Sequence, residues 1–225
     1  MPTIFVNTVS HNLQRRKMIV IFNGPPASGK DEAASLYKEK YGFGNLSFKY
    51  QLFKETVKHF EVDERWFMEG YNDRAQKEKS EFALQGMSRR EAMIHVSENI
   101  IKPKKGLDYF GRSVAEEIFE DKNYALADGG FVEELEPIIE KVGAENIVIV
   151  QLTREGCDYS SDSRKYFNGR LINEWTVGSK TAIDKAYVLK EEMDIKTYRV
   201  HNNGSLHNLH DALDQIHNEI NGELK

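Results

Sequence analysis

Cysteine is nearly absent: Cys157 is alone in 225 residues, so no internal disulfide can form. That usage fits a reducing compartment. Cys157 lies in the polar stretch Glu155 to Ser160 with no histidine nearby in sequence, so nothing there marks an activated thiolate. A long apolar run is missing as well, and none approaches a membrane span. Near the start, the apolar patch Ile4-Phe5-Val6 precedes Arg15, Arg16 and Lys17, the reverse of the order in a secretory signal. The expected location is therefore cytoplasmic, with no membrane partner. Basic excess is lacking too. The formal charge is −5, whereas duplex-DNA binders carry a basic surface that releases counterions; only a local basic channel stays compatible with DNA. The seven histidines show no metal spacing, and His207 and His210, three apart, have no companion ligand. No Ser/His/Asp arrangement, internal repeat or low-complexity tract stands out. The length suits one α/β domain with insertions, which buries about two-thirds to three-quarters of its unfolded surface without a staple.

What is present is an alternation of strand and helix patterns. Met18 to Phe22 is a continuous apolar run closed by Gly and Pro, the pattern of a buried parallel strand. After the loop Gly24 to Gly29, Ala33, Ala34 and Tyr37 fall on one helical face, and Gly42 and Gly44 stop that helix. Leu46 to Phe48 is expected as a second strand and 50–60 as a helix. Residues 62–106 carry no strand signal and read as a helical insertion, its helix from Arg89 to Ile101 ending at Pro103. Another helix is expected over 107–121, a third strand over 123–127, and a helix over 131–142. Strand patterns recur at 146–152 and 195–200. Residues 181–192 read as helix, and Ser205 caps a final helix running to about Asn221. The expectation is a five-stranded parallel sheet covered by helices on both faces, in one domain over 18–222 after an extension of 17 residues.

Gly24-Pro25-Pro26-Ala27-Ser28-Gly29-Lys30 has the spacing G-x-x-x-x-G-K. A strand that turns sharply into a helix around a phosphate needs glycine torsions at Gly24 and Gly29. The loop N–H groups and the helix N-terminus then face the anion, and Lys30 reaches the β- and γ-phosphates. The next position ordinarily offers a hydroxyl to Mg²⁺; here it is Asp31. A carboxylate can serve the metal, or simply favour the positive end of the helix. Asp128, ending the third strand, is a candidate for the metal or the acceptor, with capping of the helix at 131 as the plain alternative.

Ser28-Gly29-Lys30-Asp31 and Phe48 to Leu52 with Lys54 resemble the bacteriophage deoxynucleoside monophosphate kinases. So do Arg89-Arg90 at a helix start, Arg154-Glu155-Gly156 after the fourth strand, and Asn202 to Leu206 after the fifth. The resemblance implies a three-layer P-loop NTPase core with sheet order 2-3-1-4-5, ATP and Mg²⁺ as co-substrates, and a deoxynucleotide acceptor. It implies nucleotide contacts from the 24–31 loop and Asn202, with Asp31 and Asp128 at the metal. It makes 154–170 a lid whose Arg154 and Arg164 join Lys30 and Asp128 in catalysis. Where the family carries Asp-x-Arg, this chain has Asp128-Gly129-Gly130. Candidates for holding the acceptor are Lys49, Lys54, Arg74, Arg89, Arg112 and Arg170, because such cations suit phosphate. Trp66, Phe67 and Tyr71 could stack on a base or pack in a helical core. The lid segment, with Gly156, Gly169, Ser160, Ser161 and Ser163, lacks a periodic apolar face and is expected to be held loosely.

The leading expectation is phosphoryl transfer from ATP to a deoxynucleoside monophosphate. One alternative is a P-loop kinase acting on a hydroxyl of a modified base in phage DNA, which makes DNA a partner. Another is a nucleotide-binding switch or ATPase. Monomer and homodimer are both compatible with the sequence.

Overall fold

The apolar run near the start forms β1 (Ile19–Asn23), every residue of it buried. The computed structural model describes residues 17–160, 163–177 and 193–222. After β1 come α1 (Lys30–Tyr41), β2 (Gly44–Leu46), α2 (Phe48–Phe60), α3 (Glu64–Asn72), α4 (Arg74–Lys77) and α5 (Arg89–His95). A π turn (Val96–Ile101) leads into α6 (Lys102–Lys105), followed by α7 (Tyr109–Glu116), β3 (Tyr124–Leu126), α8 (Val132–Val142) and β4 (Ile147–Thr153). The chain continues with β5 (Gly169–Val177), β6 (Met193–Asn202) and α9 (Leu206–Ile220).

The strands form one open sheet in the order β2-β3-β1-β4-β6-β5, with every pair parallel. Side chains alternate between its faces, as the pleat demands. Ile19, Ile21, Leu126, Ile147 and Ile149 meet Phe48, Phe110, Val114, Leu135 and Ile138 from α2, α7 and α8. Val20, Phe22, Val148 and Val150 meet Ala33, Ala34 and Tyr37 of α1, and Leu209, Leu213 and Ile216 of α9. Each large side chain so enclosed contributes about 1.5–3 kcal/mol. The insertion has a small core of its own around Phe53, Phe67, Leu84, Ala92 and Met93.

Three expectations change. The sheet has six strands rather than five, because residues 169–177 add β5 at the edge. A register shift between Leu171 and Asn173 breaks its alternation, so Ile172 and Trp175 face the core three residues apart. An edge strand with a bulge has neither a continuous apolar run nor a clean period of two. Second, Pro103 does not end the helix begun at Arg89; helical backbone runs to Lys105 and stops at Gly106, φ 95°. The wider π turn just before the proline relieves the clash its ring would make in a regular helix. Third, Ser47 is not in a strand. It is the N-cap of α2, its Oγ accepting from the Lys49 N–H at 3.2 Å. Ser205 caps α9 as expected, within a capping box. The expected helix over 181–192 and the first 16 residues lie outside the described residues.

Candidate functional site

The turn from β1 into α1 cannot carry side chains at its glycines. A Cβ on Gly24 would stand 2.3 Å from the Leu152 carbonyl oxygen, and one on Gly29 (φ 104°) would stand 2.6 Å from Asn202 Nδ2. Asn202, at the end of β6, donates from that nitrogen to the Ser28 carbonyl at 3.0 Å and so supports the loop from below. Ala27 is also left-handed, φ 63°. Lys30 opens α1, is 7% exposed, and folds back to donate from Nζ to the Pro25 carbonyl at 2.6 Å. A positive group curled onto its own loop, beside a helix N-terminus, is a charge held ready for an anion.

This loop forms one side of a cavity of about 360 Å³, where Pro26, Ala27, Lys30 and Asp31 face residues of α2, α5, α7, α8 and the β4–β5 connection. Asp31 is exposed at the lip. Asp128 is 6% exposed and also lines the cavity. Its Oδ2 accepts from Ser47 Oγ at 2.5 Å and from the Lys49 N–H at 2.9 Å, so the carboxylate caps α2 and not the helix after it. That following helix, α8, has Phe131 at its N-cap and no side-chain capping bond. Asp128 Oδ1 is buried without a hydrogen-bond partner among the described residues, an arrangement that costs about 1–3 kcal/mol unless a ligand or metal completes it.

The 154–170 segment is held more firmly than its composition implies. Asn23, the last residue of β1, accepts from the Phe167 N–H at 2.7 Å and donates to the Lys165 carbonyl at 3.0 Å. Gln151 donates to the Phe167 carbonyl at 2.6 Å, and Phe167 is 1% exposed. One buried aromatic and two buried polar strand residues thus anchor 165–167, while Arg170 already belongs to β5. The anchoring aims Arg164. Any Cβ on Gly130 would fall within 2.6–2.9 Å of Arg164 Cβ, Cγ and Cδ, so the bare glycine is the space through which this arginine enters the cavity. Arg154 lies nearer the loop, its Nη1 donating to the Ala27 carbonyl at 3.4 Å. Ser161 lies outside the described residues.

Of the acceptor candidates, Lys49 lines the cavity and the other five do not. Lys54 is exposed, its Nζ 4.1 Å over the Tyr50 ring. Arg74 is exposed in the first turn of α4. Arg89 is structural: 1% exposed, it stacks 4.2 Å from the Trp66 ring centre and pairs with Glu81 at 3.2 Å. Arg112 pairs with Asp108 and donates to the Lys105 carbonyl at 2.6 Å beside a separate surface hollow. Arg170 pairs with Asp194 at 3.3 Å on the sheet edge. The cations that join Lys49 and Arg164 are instead Lys77 and Arg90. Lys77 sits 4.0 Å over the Tyr71 ring; burial, then Arg90, pulls its ammonium below the ordinary value. Tyr71 lines the cavity with its hydroxyl pushed up by burial, whereas Phe67 is core.

Arg90 follows Arg89 by one helical step, about 100° around α5; the doublet was visible in sequence, but which member faced the cavity was not. Asn23 and Gln151 were masked because polar residues within apolar strands carry no motif. Among the described residues no cluster of three His, Cys, Asp or Glu could hold a metal, and no helix is long and apolar enough to cross a membrane. No protein-family model matches the chain, and no curated protein is similar to it.

Proposed function

We propose that the chain is a P-loop kinase that transfers the γ-phosphoryl group of ATP to a deoxynucleoside monophosphate. The observation that carries this reading is Lys30, buried and folded onto Pro25 at the edge of a cavity shared with Asp128 and the cations Lys49, Lys77, Arg90 and Arg164. The turn packs so closely on Leu152 and Asn202 that neither glycine has room for a Cβ, and a tight strand-to-helix turn of this kind suits polyphosphate bound along backbone N–H groups. In the reaction Lys30 exchanges the Pro25 carbonyl for phosphate oxygens. A phosphate oxygen of the acceptor bonds to the γ-phosphorus of ATP, the bond from that phosphorus to the β,γ-bridging oxygen breaks, and ADP departs with the electron pair. Arg164 and Arg154 place positive charge where the transferring group spreads negative charge, a role that needs positioning more than a strong base. Lys49, Lys77 and Arg90 hold the acceptor phosphate.

Mg²⁺, when bound, would supply positive charge at the transferring phosphates. Two carboxylates fit it: Asp31 at the lip of the cavity, and the unpartnered Oδ1 of Asp128. A pair of acids with phosphate and water is the usual provision for this ion. The size of the cavity favours a free mononucleotide over a duplex, which needs a wide basic groove. The deciding experiment incubates the protein with ATP, Mg²⁺ and a panel of nucleoside monophosphates and DNAs, and identifies the labelled product. A labelled diphosphate supports the reading. Label in DNA alone, or steady ATP hydrolysis with no acceptor phosphorylated, sinks it.

A further inference from the structure

Lys77 and Arg90 reach the cavity from two helices of unequal support. Arg90 stands in the first turn of α5, which is well fixed. Ser88 and Glu91 close a capping box at its start, the Glu91 carboxylate accepting from the Ser88 N–H at 2.8 Å. Ala92 and Met93 enter the small core of the insertion. Lys77 ends α4, a helix of four residues with no buried side chain. An element so short does not hold its shape unaided. The two cations also repel each other. Burial first, then Arg90, pulls the Lys77 ammonium down, with Arg164 adding to the effect and Glu78 and Asp31 opposing it.

Arg89 joins the two helices. Its Nη1 donates to the Gln76 carbonyl at 3.3 Å and to Glu81 Oε1 at 3.2 Å. The first of these bonds fastens the residue before Lys77 to the residue before Arg90. The guanidinium is closely confined: the Trp66 ring centre lies 4.2 Å away, and a Cβ on Gly70 would stand 2.2 Å from Arg89 Cζ. Arg90 also meets Glu78, just beyond α4, at 3.5 Å, but both side chains are exposed and such pairs contribute little. A guanidinium is a costly occupant for this place. It is 1% exposed, and its Nε is buried with no hydrogen-bond partner among the described residues. A buried ion pair often stabilises no more than apolar residues of like size would. What an apolar residue cannot do is bond to the Gln76 carbonyl.

Resting on the kinase reading, we propose that Arg89 is a positioning residue for the acceptor phosphate, which sets the spacing of Lys77 from Arg90 through the Gln76 carbonyl and touches no substrate itself. Two cations at a fixed spacing can engage separate oxygens of one phosphate. With the tie cut, their repulsion drives α4 outward, and the phosphate keeps only Arg90 and Lys49. ATP, held at the 24–31 loop across the cavity, is little affected. Lysine is no substitute for Arg89, because an ammonium lacks the planar fork that lies on Trp66 while reaching two acceptors.

The test measures KM for ATP and for the monophosphate that the wild type phosphorylates fastest, in Arg89→Lys, in Lys77→Ala and in the double variant. Arg89→Lys should raise the acceptor KM about tenfold and the ATP KM less than about twofold. In the Lys77→Ala background the same change should raise the acceptor KM less than about twofold, since the cation through which it acts is gone. Equal effects in the two backgrounds overturn the inference, as does an ATP KM that rises as far as the acceptor's. If Arg89→Lys does not fold, Glu81→Gln decides: it loosens the guanidinium from outside the cavity and should raise the acceptor KM severalfold, and an unchanged KM overturns the inference. Titration of Lys77, followed by NMR at its Cε, needs no turnover. It should lie below the ordinary lysine range in the wild type and return toward that range in Arg89→Lys or Glu81→Gln. If no monophosphate is phosphorylated, the kinase reading fails and this titration alone decides the tie: a Lys77 that titrates alike with and without the change refutes it.

Discussion

Glu134 makes a prediction about stability that is independent of any activity. The perturbation is Glu134→Gln, which keeps the shape and removes the titration. In the folded protein burial raises this carboxyl to about 8, from an ordinary value of 4.5. The native state thus keeps a proton that the unfolded chain releases. The contribution is fully present below about pH 4.5 and is lost as pH rises to about 8, at about 1.4 kcal/mol per pH unit. The whole interval corresponds to roughly 3–5 kcal/mol, a large part of a domain's typical 5–15 kcal/mol. Other groups titrate in both proteins, so the difference between them isolates Glu134. Urea unfolding at intervals from about pH 5 to about pH 9 measures it. The wild type should lose stability relative to the glutamine variant up to about pH 8, and the two curves should run parallel from there to about pH 9. Parallel curves throughout would show that Glu134 is ionised in the native state.

Lys30→Ala should abolish phosphoryl transfer and change the urea midpoint far less than turnover, because Lys30 lines the cavity and lies in neither apolar core; wild-type turnover rules out the loop as the phosphate site. Asp31→Ala should weaken the Mg²⁺ dependence of the rate more than nucleotide affinity measured without metal, and an unchanged Mg²⁺ titration reduces Asp31 to its helix-dipole role. Arg164→Ala should lower turnover roughly a thousandfold while the ATP dissociation constant changes little, by analogy with arginine fingers; full turnover makes Arg164 a packing residue on Gly130. Hydrogen exchange should be slow at Phe167, whose N–H bonds to Asn23 in a buried setting, and faster over 155–160; uniform exchange across both stretches contradicts the anchoring.

The parts of the structure that sequence revealed are those where one local rule acts alone. The strand before Gly24, the turn at Gly29 and the cap at Ser205 each follow from torsion or pattern within a few residues, and they appear where the pattern puts them. Residues that depend on two distant segments were hidden. Asp128 looks like the cap of its own following helix, and only the sheet order β2-β3 brings it to Ser47. Arg89 and Arg90 are chemically identical in sequence; the tight fit of Gly70 against the Arg89 guanidinium separates them. The edge strand β5 failed for a different reason, since a bulge erases the alternation by which strands are recognised.

The position of β6 has a consequence for how the molecule assembles. Following the chain, β5 is made before β6 yet lies outside it, so β6 must enter between β4 and a strand that has no other neighbour among the described residues. His201 marks the closure: one ring nitrogen meets Thr153 of β4 at 2.7 Å, and the other pairs with Glu174 of β5. Its neighbour Asn202 is the residue that holds the loop at Ser28. Pairings of such long sequence separation are slow to form. A nascent chain ending before residue 193 therefore exposes the outer edge of β4, leaves β5 unpaired, and lacks the support that Asn202 gives the loop at Ser28. Such open edges invite association with other chains. On the kinase reading proposed above, nucleotide affinity would double as a report on completed folding, because β6 also carries the residue that supports the loop at Ser28.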